Sequence, residues 1–135
     1  MGAIARFEDI QAWQKAKVLV CKIYEVSSNG SLANDWALRD QLRRAAISIM
    51  SNIAEGFARR TSKEFANFLS MAHGSAAEVQ SHLYVALELR YLSEHRFKEL
   101  YQLAGEVSKM VQAFMAYLKS NSQLSTRNSQ LKGVL

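Results

Sequence analysis

No proline occurs anywhere in the 135 residues of this chain. Proline serves tight turns and sheet edges, and inside a helix it removes a backbone donor and clashes with the turn before it. A strand-and-turn protein of this length would normally contain several, so their absence points to a nearly all-helical chain. The apolar residues agree. In four segments they recur at steps of three and four, the period of an α-helix with one face turned to a core.

The first segment runs from about Phe7 to Ser27, with Ile10, Trp13, Ala16, Val20, Ile23 and Tyr24 at helical spacing. Ser28-Asn29-Gly30-Ser31 ends it, because Asn and Gly tolerate left-handed backbone and Ser favours turns. The second runs from about Asn34 to Arg60, with Asn34 or Asp35 as N-cap and Leu38, Leu42, Ala45, Ile49, Ile53 and Phe57 as its buried face. Asp35–Arg39, Asp40–Arg44 and Glu55–Arg59 place an acid four residues before a base, each worth about 0.3–0.5 kcal/mol on an exposed helix. Thr61 and Glu64 form a capping box for a third helix reaching about Tyr91. Gly74 in its middle costs about 1 kcal/mol against Ala, and close approach of a neighbouring helix is the simplest reason for it. Ser93 caps a fourth helix, from about Glu94 to Ser120.

Short connections between the last three segments favour antiparallel neighbours. The expected fold is therefore all-α, an up-down-up-down antiparallel four-helix bundle over residues 1–120. Residues 121–135, rich in Ser, Gln and Asn, are expected to form a polar, disordered C-terminal tail.

Seventeen basic residues against twelve acidic ones give a formal charge of +5, and the pI of about 9.5 passes the usual threshold for suspecting nucleic acid. No apolar run reaches the roughly 18 residues of a membrane span, and Met1 to Phe7 lack the pattern of a signal peptide. The expected location is cytoplasmic, with no membrane partner. Cys21, the single cysteine, cannot form an intrachain bridge and is expected to be a small buried hydrophobe in a reducing compartment.

Within the second helix, Gln41, Arg44, Ser48, Asn52, Glu55 and Arg59 fall on one narrow stripe. Ser and Asn are weak helix formers, about 0.5 kcal/mol each below Ala, and a face chosen for solubility alone would use Lys and Glu. Gln41, Ser48, Asn52 and Glu55 are thus expected either to meet another subunit or to make structural polar contacts.

Catalytic and metal chemistry find little support. His73, His82 and His95 have no partner histidine at three or four residues, and no Glu-x-x-His motif occurs. Ser48 and Ser75 lie within helices, not on a strained Gly-x-Ser-x-Gly turn, and the six glycines form no phosphate-binding loop. Neither a catalytic residue, a metal nor a cofactor is expected. Trp13, Trp36, Tyr24, Tyr84, Tyr91 and Tyr101 could stack on bases, but most occupy core-compatible helical positions. Trp36 stands apart at a helix start beside a loop. Arginine binds phosphate bidentately, which makes Arg43 and Arg44, and Arg59, Arg60 and Lys63, the candidate nucleic-acid contacts.

The stretches Asp40-Gln41-Leu42-Arg43-Arg44-Ala45 and Ser51-Asn52-Ile53-Ala54-Glu55-Gly56-Phe57 carry a further signal. With Phe7-Glu8-Asp9-Ile10, Trp13-Gln14-Lys15-Ala16, Lys63-Glu64-Phe65, Phe68-Leu69, Ala72-His73-Gly74-Ser75 and Glu78, the chain resembles the 23S rRNA intervening-sequence protein family, also called the four-helix bundle protein family. One departure is Met50, where the family usually has proline; its effect should be a straighter second helix. The resemblance implies a small, soluble bacterial protein with a four-helix bundle fold. Some members are encoded inside insertions in 23S rRNA genes, and members of this bundle type can form ring-shaped pentamers. A distant relative is an accessory protein to a retroelement reverse transcriptase and is thought to bind nucleic acid. The family has no established catalytic residues to carry over.

Together these readings give an expected function: a non-enzymatic homo-oligomer, five subunits by resemblance, that binds RNA or DNA through a basic surface. The alternative is a protein–protein scaffold, or an accessory factor for a nucleic-acid enzyme, that does not itself touch nucleic acid.

Overall fold

The computed structural model describes residues 4–134, with side chains over 4–121. A single 3-10 turn, Phe7–Asp9, leads into five α-helices: α1 (Gln11–Ser27), α2 (Gly30–Asn34), α3 (Trp36–Phe57), α4 (Ser62–Glu88) and α5 (Glu94–Val134). Among the described residues there is no strand. The tail expected over 121–135 lies, from residue 122 on, outside the residues whose side chains are described.

The starts of α3, α4 and α5 have a physical cause visible in the sequence. Asp35 Oδ1 accepts from the Leu38 amide at 3.2 Å, Thr61 Oγ1 from the Glu64 amide at 3.1 Å, and Ser93 Oγ from the Arg96 amide at 3.1 Å. Each satisfies one of the orphan donors of a first helical turn. The end of α4 closes with the Tyr91 amide donating to the Ala86 carbonyl at 2.8 Å while Arg90 takes φ 60°. This is the left-handed C-terminal cap that usually uses glycine.

The core runs through all the helices. Leu19 and Ile23 of α1, Leu42, Ile49 and Ile53 of α3, Leu69, Val79 and Leu83 of α4, and Leu100 and Val107 of α5 are fully buried. Helix α3 packs on α4, α4 on α5, and α1 on both α3 and α5. The two largest seams therefore join helices adjacent in sequence.

Three expectations need correction. The segment after α1 is not simply a turn. It holds α2, whose Leu32 is buried as an anchor and whose Gly30 takes φ 71°, in a region open to glycine without strain. Cys21 is exposed, not buried. It lines a shallow cleft on the outer side of α1 with Val18 and Lys17. Gly74 is exposed too, and a Cβ there would meet nothing within 4 Å. Close helix approach occurs instead at Gly56, where a Cβ would lie 2.8 Å from both Phe65 Cδ1 and Phe68 Cβ.

Candidate nucleic-acid interface

Helix α3 is the axis on which the candidate cations are arranged. Its 22 residues span about 33 Å at 1.5 Å per residue. Arg43 and Arg44 lie in its first half; Arg59 and Arg60 follow its C-terminus. The five candidates are thus split between two places.

Arg43 is committed inside the molecule. Its Nε donates to Ser27 Oγ at 2.8 Å, and its Nη2 to the Ser27 carbonyl at 3.1 Å and to Ser28 Oγ at 3.3 Å. The guanidinium also lies 4.3 Å from the centre of the Tyr24 ring. A planar donor fork suits this task, satisfying the end of α1 from a neighbouring helix. Arg44, one residue on and turned by about 100°, is exposed.

The second group sits at the corner between α3 and α4. The absence of a side chain at Gly56 lets the last turn of α3 close onto Phe65 and Phe68 of α4, and only residues 58–61 separate the two helices. Arg59, Arg60 and Lys63 are all exposed there. The Arg59 guanidinium rests 4.7 Å from the centre of the Phe68 ring, a cation–π contact that orients it. Beside this corner a groove of about 410 Å³ runs between α4 and α5, with Ala66, Met115 and Leu118 in its lining and Lys63 and Lys119 from its two helices. Sequence reasoning missed Lys119. Nothing local marks it, because its neighbour Lys63 is brought up by the α4–α5 packing. Among the described residues Arg44, Arg60, Lys63 and Lys119 make no ion pair, whereas Lys15, Lys22, Arg39 and Arg96 each do.

The polar stripe divides as well. Ser75 Oγ of α4 donates to Ser48 Oγ at 2.8 Å, and Asn52 Nδ2 donates to the Ser48 carbonyl at 2.9 Å and to Ser48 Oγ at 3.0 Å. Ser48 and Asn52 therefore belong to the α3–α4 seam. Gln41 and Glu55 are exposed.

At the opposite end of α3 the polar groups bind one another. Tyr91 Oη donates to Asp35 Oδ2 at 3.0 Å, and this bond, with burial and the aspartate's charge, raises the tyrosine pKa. Lys22 bonds Glu99 at 3.0 Å, and Arg96 reaches Glu25 at 2.8 Å and Glu99 at 3.4 Å. Lys22 holds the Glu99 carboxyl below its ordinary pKa, and Glu25 raises that of Arg96. His73 Nδ1 lies 2.7 Å from Ser108 Oγ across the α4–α5 seam. Among the described residues no three His, Cys, Asp or Glu side chains gather as metal ligands, and no helix is long and apolar enough to cross a membrane.

The model of the 23S rRNA-intervening sequence protein family matches residues 8–113. Among solved structures, the chain is similar to a protein of unknown function from the S23 ribosomal protein family of Bacteroides thetaiotaomicron, with a TM-score of 0.71 and 20% identity. That match covers 77% of this chain and 97% of the other, and at this identity it establishes a shared fold. No curated protein matches the chain.

Proposed function

We propose a function for a chain that belongs to the 23S rRNA-intervening sequence protein family: it is a non-enzymatic, cytoplasmic, homo-oligomeric up-down-up-down four-helix bundle that binds RNA or DNA through a basic surface. The observation that carries this reading is the corner of Arg59, Arg60, Lys63 and Lys119, exposed cations gathered from three parts of the chain with no ion pair among the described residues. Glu55 and Glu64 stand near these cations yet pair with none of them among the described residues, whereas Glu99 and Glu106 of α5 are paired with Lys22, Arg96 and Lys15. Phosphate oxygens are the partner that such cations fit without any sequence code. Arg44 extends the surface along α3, while Arg43 serves the fold.

The antiparallel arrangement is supported by the contacts at one end, where the close of α4 meets the start of α3 through Tyr91 and Asp35, and the close of α1 meets the start of α5 through Lys22 and Glu99. Oligomerisation would strengthen weak monomer contacts. Each added copy brings another formal charge of +5, and linked weak sites gain avidity without new contacts. A second reading, the protein scaffold, draws on the outer face of α4, where Met71 and Val85 are exposed on either side of Gly74.

The test is retention of a mixed RNA pool and of duplex DNA at several salt concentrations, by wild type and by Arg59→Glu/Arg60→Glu/Lys63→Glu. Phosphate binding should weaken with a log–log slope near −0.9 per contact on duplex DNA, and the charge-reversed protein should lose retention while keeping its helical spectrum. Retention that ignores both salt and the triple substitution would overturn this reading in favour of the scaffold.

A further inference from the structure

Trp36 is 69% exposed, more than any other large apolar side chain among the described residues. The fold does not need it there, since the buried face of α3 begins at Leu38. Its backbone, by contrast, is firmly placed. The Asp35 amide donates to the carbonyls of Ser31 and Leu32, both at 3.2 Å, and the Asp35 carboxylate takes the Leu38 amide on one oxygen and the Tyr91 hydroxyl on the other. Leu32, fully buried, pins α2 beneath. The indole is thus held out into solvent from a rigid base.

It also lines a cleft of about 580 Å³ whose other walls are Ser31, Asn34, Asp35 and Tyr91. Among the described residues the Ser31 hydroxyl and the Asn34 amide make no hydrogen bond, so both are available to a ligand. A flat π-face beside free donors and acceptors matches a nucleobase, which stacks by its face and bonds by its edge. A protein hot spot would instead surround its tryptophan with contacts that exclude water, and this cleft is polar and open. Cations lie within reach for the adjoining phosphates: Arg90 is exposed next to Tyr91, and Arg44 is exposed about 12 Å along α3.

We infer that Trp36 is a stacking platform for one unpaired base, with Asn34 and Ser31 facing the base edge, so that the chain takes single-stranded nucleic acid in preference to duplex. This rests on the nucleic-acid reading proposed above and extends it to the opposite end of α3.

The experiment is a fluorescence titration of the full chain with oligouridylate RNA, oligothymidylate DNA, the mononucleotide UMP and a duplex of matched length. Wild type, Trp36→Phe and Trp36→Ala are compared by circular dichroism and, with end-labelled strands, for affinity by fluorescence anisotropy, which does not depend on the indole; UMP affinity is read by its competition with the labelled strand. Since Trp13 emits in every protein, the signal is the difference between wild type and Trp36→Phe. Saturable quenching by a single strand that disappears in Trp36→Phe is expected, with Trp36→Ala binding about tenfold or more weaker and Trp36→Phe close to wild type. The RNA and DNA arms show which strand supplies the base, and equal affinity for UMP would identify a free-nucleotide site and overturn the strand assignment. Unchanged affinity in Trp36→Ala, while the Arg59, Arg60 and Lys63 reversal still abolishes retention, would overturn the platform and leave the basic surface standing. No binding by wild type would overturn both. Loss of oligomer mass in Trp36→Ala, with nucleic-acid affinity intact, would reassign the indole to a protein contact.

Discussion

The two ends of α3 handle charge in opposite ways. At its start, Asp35, Arg39, Arg43 and their neighbours Tyr91, Lys22, Glu25, Arg96 and Glu99 are tied to partners within the chain. At its finish, Arg60, Lys63 and Lys119 are exposed and make no ion pair among the described residues. Both ends are rich in arginine, so composition does not separate them; geometry does. A guanidinium that can reach the last carbonyl of α1 becomes part of the fold, and one at the α3–α4 corner, where neither Glu55 nor Glu64 pairs with it among the described residues, stays available to a ligand.

The largest effect should come from crowding the corner itself. Gly56→Ala would drive a Cβ to 2.8 Å from Phe65 Cδ1 and Phe68 Cβ, and overpacking of this kind costs about 1–3 kcal/mol. Urea unfolding should show a loss near the top of that range, and an unchanged midpoint would mean that the corner is not tightly packed. Next in size, Arg43→Ala removes three hydrogen bonds and the Tyr24 contact, and should cost about 2 kcal/mol. If it proves neutral in stability but impairs nucleic-acid retention, the contrast between the two ends fails.

A smaller effect is present at neutral pH and disappears at alkaline pH. The bond to Asp35 raises the Tyr91 pKa in the folded chain. Its contribution to stability is therefore complete below the ordinary tyrosine value near 10 and is lost as pH climbs through the higher folded value. Wild type and Tyr91→Phe should differ in melting temperature at neutral pH and converge as the tyrosine ionises; a constant gap would place the stabilisation elsewhere. The smallest change is expected from Arg60→Ala with Lys63→Ala. Surface substitutions of this sort stay within about 0.5 kcal/mol, so unfolding should be unaltered while retention weakens. A clear loss of stability would show that this corner, too, serves the fold.

How much of this could be read beforehand depended on distance along the chain. The caps at Asp35, Thr61 and Ser93 and the buried stripes of α3 and α4 stand where the sequence puts them, whereas in α1 the expected stripe residue Tyr24 is exposed and Leu19 is buried in its place. The starts of the long helices, and the ends of α1, α3 and α4, also lie within a few residues of expectation, whereas α5 runs on to Val134, well past the expected end at Ser120. Helix α2 escaped notice because five residues are too few to show a period, and Gly30 read equally well as part of a turn and Asn34 as the cap of the next helix. Cys21 was misplaced because α1 packs mainly on α3 and α5, leaving apolar Val18 outward as well. The same limit hid the fate of Arg43. Its acceptors are 15 and 16 residues away, outside any helical pattern. Lys119 joins Lys63 only once α4 and α5 are paired. Conversely, the oddity of a mid-helix glycine was legible at Gly74, but the position where a Cβ has no room is Gly56.

The seam between α1 and α5 has a consequence for how the chain folds. The α3–α4 and α4–α5 pairings join neighbours in sequence, so their contacts form across short loops. The bonds Lys22–Glu99 and Glu25–Arg96 instead close spans of 77 and 71 residues, and the cost of closing a loop rises with its length. The α3–α4 and α4–α5 pairings should accordingly form before the α1–α5 seam closes, leaving α1 held until then by α3 alone and making it the element most readily released. Hydrogen exchange in α1 should then outpace that in α4, even though Leu19 and Ile23 are as deeply buried as Leu69 and Leu83.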